Sequence, residues 1–192
     1  MTDITANDSS ACSNKTERTS QIVLETERLT LRRLSVDDAE FMLRLLNEPS
    51  FVQNIGDKGV RTIEEARAYI QNGPVASYKE FGFGLWLVEI KHSGSPIGIC
   101  GVLKRAALED ADLGYALVPE YWSQGYALEA ASAVMDYAGR MLGLRRLAAI
   151  VNHDNQSSLR LLRKMGFTFA GMIRLSSESE EIQLLVANIH PS

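Results

Sequence analysis

Between residues 121 and 130 the chain reads YWSQGYALEA, a compact loop that runs straight into helix-forming sequence. The first amides of a helix have no partners within it, and the helix dipole places partial positive charge there. Gly125 has no side chain to hold an outside group away from the backbone, and Ala127 keeps the approach open one step on. The first acid is not met until Glu129, so the local sequence leaves the helix start without a negative charge. A turn of this kind binds phosphate. The same residues also fit a plainer reading, in which Gly125 makes a turn and Ala127 begins a helix. The common nucleotide motifs fit less well: the loop has no GxGxxG, and the chain has no G-x-x-x-x-G-K-[ST].

A second pair with chemical potential is Asn155 and Ser158, which stand three apart and share a helix face. Read alone, Asn155 is a helix cap and Ser158 is solvated helix surface. Asp112 follows Glu109 and Asp110, which fit ordinary turn acids, and itself reads either as an exposed strand-edge carboxylate or as a base. His92, His153 and His190 are scattered and no metal-ligand spacing appears, so no metal is expected. Cys12 lies in a polar stretch and Cys100 in an apolar run, which makes Cys100 a small core residue and a disulfide between them improbable.

The elements that must position these residues follow from periodicity. Residues 1–20 are polar and rich in Ser and Thr, a flexible tail, and residues 21–192 form a single domain. ETERLTLRRL reads as one strand. Ser35 with Asp38 opens a helix that Pro49 ends, and Thr62 with Glu65 opens a second that Gly73 ends. GLWLVEIK and SPIGICGVL form a hairpin, and ADLGYALVP is a strand leading into the loop. A helix runs from about Leu128 to Leu142, with Leu128, Ala131, Met135, Ala138 and Leu142 facing inward. Strand RRLAAIV, a helix from Asp154 or Asn155 to Met165, and strands FTFAGMIRL and EIQLLVANI complete the chain. Seven strands interrupted by four helices make an α+β fold with a mixed sheet.

Composition narrows the function classes. The chain has 192 residues, a 45% apolar fraction and a net charge of −4, as expected of a globular protein handling small molecules or peptides. Nucleic acid is not an expected partner, because its readers present a basic face. No apolar stretch is long enough to span a membrane and the N-terminus lacks a signal peptide's apolar core, so a cytoplasmic location is expected.

Four stretches, in order, resemble the GCN5-related N-acetyltransferase (GNAT) family, in its ribosomal-protein-alanine N-acetyltransferase branch. They are TERLTLRRL, DLGYALVPEYWSQGYALEA, VNHDNQSSLRLLRKMGF and GFTFAGMIR. The family's loop runs Arg/Gln-x-x-Gly-x-Gly/Ala; here Trp122 replaces the Arg/Gln, and Ser123, Gln124, Gly125, Tyr126 and Ala127 follow. The resemblance implies a mostly antiparallel sheet splayed between its fourth and fifth strands, flanked by about four helices. It implies acetyl-CoA as co-substrate, with the pantetheine arm paired to backbone around Leu117 and Val118. The pyrophosphate would meet the amides of Gln124, Gly125, Tyr126, Ala127 and Leu128, and Asn155 would bond the pantetheine. Ser158 would be the acid at sulfur, and Asp112 stands where many members carry a Glu base.

The reaction so implied is direct acetyl transfer to a primary amine in a ternary complex, with a backbone amide near Leu117 as oxyanion donor. The acceptor is a small molecule or a protein N-terminus, and a homodimer is compatible with the family. An α-amine is roughly a tenth neutral at pH 7 and a Lys amine only about four parts in ten thousand, so a weak base favours peptide N-termini. A silent acyl-CoA sensor on the same fold is the alternative.

Overall fold

The computed structural model describes residues 21–176 and 180–189; the expected tail, with Cys12, and His190 lie outside the described residues. Eight strands form one sheet: β1 (Ile22–Glu25), β2 (Leu29–Arg33), β3 (Leu85–Ile90), β4 (Pro96–Leu103), β5 (Asp112–Leu117), β6 (Arg146–Val151), β7 (Thr168–Ile173) and β8 (Ile182–Asn188). Their spatial order is β1-β2-β3-β4-β5-β6-β8-β7. Every neighbouring pair is antiparallel except β5 and β6. The expected mixed sheet is therefore present, with one strand more than the pattern suggested. The opening stretch is a hairpin, not one strand, because Thr26–Arg28 turn out of the sheet: the Thr26 N–H donates to Leu29 O, and the Thr26 hydroxyl to Glu129.

The helices are α1 (Ala39–Leu46), α2 (Pro49–Ile55), α3 (Ile63–Ile70), α4 (Ala76–Phe81), α5 (Tyr126–Arg140) and α6 (Gln156–Lys164). Both expected capping boxes form, Ser35 with Asp38 and Thr62 with Glu65. The first helix ends at Leu46, ahead of Pro49 as expected, whereas the stop expected at Gly73 does not hold. Pro49 is the first residue of α2, where its missing N–H costs nothing. Gly73 lies inside a wide π turn, Gln71–Val75, that joins α3 to α4 as one rod. Pro74 cannot supply an N–H to the regular ladder, and the turn widens around it. The rod ends at Gly82, whose φ of 80° is the left-handed cap that glycine adopts without strain. Counted as rods, the helices among the described residues number five.

Alternation along the strands builds a core on each face. On one face α1–α3 cover Leu34, Leu87, Ile99 and Val118 with Met42, Leu45, Leu46 and Ile70. On the other, α5 and α6 cover Trp86, Cys100, Leu113, Leu147 and Leu185. Helix α5 comes close because its inner residues are small: Ala130, Ala131, Val134, Ala138 and Gly139 are buried. A Cβ on Gly139 would lie 2.6 Å from Ile189 Cγ2. The inner face is thus rotated from the expected one, with Leu128, Met135 and Leu142 half-buried on its flank. Cys100 is a core residue, fully buried, and burial pushes its thiol well above the usual range. Among the described residues no helix is long and apolar enough to cross a membrane.

A buried ionic cluster joins β2, β3 and the turn before α1. The Arg32 guanidinium bonds both Asp38 oxygens at 2.9 and 2.7 Å and Glu89 Oε1 at 3.0 Å. Its two carboxylates hold the guanidinium charged, above its ordinary pKa despite burial. Removing the cation leaves two buried acids facing each other, which costs far more than the pair contributes. Arg32→Ala should lower unfolding free energy by about 3–5 kcal/mol in urea denaturation at pH 7.

Candidate active site

The loop read first in the sequence connects β5 to α5 at one end of the sheet. Ser123 and Gly125 both have positive φ, 60° and 85°. That backbone is of the kind that turns successive N–H groups toward an anion. The first intrahelical bond is Glu129 N to Gly125 O, and no side chain caps the helix start. The amides from Gln124 to Leu128 thus open a helix whose N-terminus the protein leaves uncovered, and the loop itself is exposed. A Cβ on Gly125 would require the left-handed region and lie 3.2 Å from Arg28 Nη2.

Glu129 could have supplied the missing negative charge, but it is turned elsewhere. Its carboxylate accepts from Thr26 Oγ1 at 2.6 Å, Arg28 N at 2.9 Å and Arg28 Nε at 2.6 Å. Burial raises the Glu129 pKa, and these bonds outweigh it to give a net lowering. Arg28 also donates to Gln124 O at 3.0 Å and stacks 4.4 Å over the Tyr126 ring. The β1–β2 turn therefore clamps the loop by its carbonyl, its ring and its acid, leaving the amides alone. Sequence periodicity gave no signal for Arg28; a lone Arg in a turn is ordinary.

Beside the loop, the sheet opens. The parallel ladder between β5 and β6 holds one register pair, Asp112 with Ala148. A strand residue turns both its backbone groups to the same side, and Ala111 O accepts from Ala148 N across to β6. Tyr115 and Leu117 therefore also point their backbone groups at β6, into a gap that β6 does not close. Leu117 and Val118 differ here. The Leu117 N–H faces the gap, whereas its carbonyl accepts from Trp122 Nε1 at 2.7 Å. Val118 is turned away, its N–H donating to Ile97 O and its carbonyl accepting from Tyr121 N. The expected pairing of an extended arm at Val118 is corrected accordingly, and Trp122 explains why an aromatic stands in the loop.

On the α6 side of the gap, Asn155 Oδ1 accepts from Ser158 N at 3.0 Å, so Asn155 is a helix cap. Its amide nitrogen has no hydrogen-bond partner among the described residues. Ser158 Oγ lies 2.6 Å from Tyr115 Oη, a bond that spans the gap. His153 is exposed and pairs with Asp154 at 3.1 Å.

Asp112 is set apart from these groups. Tyr115 packs in the α5–α6 core, so Asp112, an odd number of residues away, projects from the opposite face. It is 1% exposed, and both oxygens accept from Arg105 Nε at 3.0 Å. Burial pushes its carboxyl above the usual range against the pull of Arg105. Beside it, Asp110 bonds Arg146 at 2.6 Å, and Glu109 lies 3.7 Å from the same guanidinium. A cavity of about 160 Å³ opens there, walled by Ala148, Ala170, Leu184 and Val186.

The residues fit a thioester carrier: free amides for a diphosphate, a gap for an extended arm, and a hydroxyl pair where the gap narrows. Gly125→Ala should weaken coenzyme A binding about tenfold by calorimetry, some 1.4 kcal/mol. Unchanged affinity in the folded variant would remove the loop from cofactor binding.

Residues 28–168 match the model of the acetyltransferase (GNAT) domain. The chain is 36% identical over 153 residues to the uncharacterized N-acetyltransferase YoaA of Bacillus subtilis, covering 79% of this chain and 86% of that one. It is 30% identical over 153 residues to the spermidine N(1)-acetyltransferase of Escherichia coli, covering 77% and 72%. Its fold is shared by the ribosomal L7/L12 α-N-protein acetyltransferase RimL, solved in complex with coenzyme A, at a TM-score of 0.76 and 20% identity over 89% and 99% of the two chains. With the splayed sheet and the uncapped helix start in place, the chain belongs to the GNAT family of acetyl-CoA-dependent acetyltransferases.

Proposed function

We propose that the protein acetylates the α-amine of a peptide or protein N-terminus, by direct transfer from acetyl-CoA in a ternary complex. The observation that carries this reading is the state of the acids at the vertex of the gap. Asp112 is bound to Arg105, and Asp110 and Glu109 face Arg146. These carboxylates are already matched by guanidinium groups and offer little to a polycation such as spermidine. Nor is Asp112 placed to reach the amine proton, since it is 1% exposed and both its oxygens are held by Arg105. Solvent is left to take the amine proton, which favours an acceptor that is substantially neutral near pH 7.

The donor enters from the loop, with its diphosphate on the amides of Gln124 to Leu128 and its arm along β5. The Asn155 amide nitrogen donates to the arm. The Leu117 N–H receives the developing oxyanion, a charge-stabilising role for a fixed dipole. Ser158 protonates the leaving sulfur. The acceptor arrives from the opposite face, beside Ala148, and its side chains meet Leu184 and Val186.

A panel of acceptors assayed by thiol release tests the reading. Peptides with free N-termini should show kcat/KM at least tenfold above spermidine and above an Nα-blocked Lys peptide. Their kcat/KM should rise with pH and level off near the α-amine pKa of about 8. Preference for spermidine would sink the proposal. Ser158→Ala should lower kcat by roughly 10². Asp112→Asn should stay within about tenfold of wild type; a loss of 10² would make it the base.

A further inference from the structure

Tyr115 and Ser158 come from different halves of the split sheet, one from β5 and one from the helix that follows β6. Their hydroxyls meet at 2.6 Å, and each is the only side-chain hydroxyl partner of the other among the described residues. The tyrosine is held on both sides: its ring packs against the α5–α6 core, and its strand is fixed to β4 through the register of Cys100 with Tyr115. The serine is held by its backbone, through the Asn155 cap. Neither oxygen is therefore free to swing toward a different partner without loss of the bond.

A phenol is a stronger acid than an alkanol, and an alkanol oxygen is the better acceptor. The distance admits either direction, and this order of acidity favours the tyrosine as donor and the serine as acceptor. Ser158 is then left with its own O–H, free to turn away from Tyr115 toward the gap. Burial pushes the Tyr115 pKa up to about 12, so the phenol keeps its proton at any pH at which the enzyme works.

We infer that Tyr115 is a positioning residue for the acid step: it fixes the direction of the Ser158 proton and supports the serine oxygen as that proton leaves. The inference rests on the reading of Ser158 as the proton donor to sulfur. When the tetrahedral intermediate collapses, the carbon–sulfur bond breaks and its electron pair goes to sulfur. The Ser158 proton passes to that sulfur, and the Tyr115 hydrogen bond shortens onto the serine oxygen. The proton lost by the acceptor nitrogen returns to Ser158 through solvent. Acetyl-CoA and amine become amide and free thiol, with no other reactant.

The bond has a second consequence for geometry. Tyr115 stands two residues before Leu117 on the same strand, and both turn their backbone to the gap. A bond from Tyr115 to Ser158 thus fixes the proton donor relative to the oxyanion donor, the two groups that must act on one carbon–sulfur unit.

The test compares two donors, acetyl-CoA and its selenium analogue, whose selenol leaves without needing a proton. Tyr115→Phe should lower kcat with acetyl-CoA about tenfold or more and leave KM for acetyl-CoA within threefold. With the selenoester the same variant should fall within threefold of wild type. Ser158→Ala should behave alike, and the double variant should lose no more than Ser158→Ala alone, because the two act as one unit. The ratio of the two donors is taken on one enzyme preparation, so a partly folded variant does not disturb it. If Tyr115→Phe is equally impaired with both donors, or is unimpaired while Ser158→Ala is, the inference fails and the reading of Ser158 stands. If Ser158→Ala is unimpaired with acetyl-CoA, both fail together.

Discussion

A parallel ladder that stops after one register pair is the constraint on which the rest of this molecule depends. Had β5 and β6 stayed paired along their length, Tyr115 and Leu117 would have bonded to β6, and no extended chain could lie between them. By parting, the strands expose backbone groups that are polar, fixed and unpaired by β6. Such groups are costly to leave buried and empty. They are well suited to a ligand that presents amides and carbonyls of its own. The opening is held on one flank by the Arg105–Asp112 pair at its vertex and is crossed on the other by the Tyr115–Ser158 bond.

The loop at the mouth of the gap is organised on the same economy of groups. Everything the chain could use to fill the helix start is directed away from it. Glu129 is engaged by Thr26 and Arg28, the Gln124 side chain bonds Glu120 O at 2.9 Å, and the Trp122 indole takes the Leu117 carbonyl. Arg28 matters through its geometry more than its charge, since it is exposed and its ion pair is open to screening by salt. It fixes the β1–β2 turn against the Tyr126 ring and the loop carbonyl, so the amides are arranged before any ligand arrives. Preorganisation of this sort reduces what binding must spend on ordering the backbone.

Much of this was legible in the residues. The strand-loop-helix at 111–130, the cap at Asn155, both capping boxes and Cys100 in the core follow from local pattern, because neighbouring residues decide them. What pattern could not reach depends on contacts far apart in the chain. The break of the first strand at Thr26–Arg28 answers to Glu129, a hundred residues on. The partners of Tyr115 and Asp112 were hidden for the same reason: a strand residue's face can be read, but not the helix that comes to meet it. Gly73, the expected end of the second helix, misled in another way, because the chain runs on through it and Pro74. A proline usually ends a helix, and here the helix absorbs it by widening one turn.

The helices α1–α3 cover the second face of the sheet only as far as β5, where Ala116 and Val118 meet their core. Beyond that line Ala148, Leu184 and Val186 line the small cavity beside Asp110 and Arg146. In the reading proposed here, recognition of the two reactants is separated by the thickness of a single sheet. On that reading, exchange of one aliphatic side chain for another on β8 remodels the acceptor's berth and leaves the diphosphate loop untouched, which makes the scaffold adaptable to new amines.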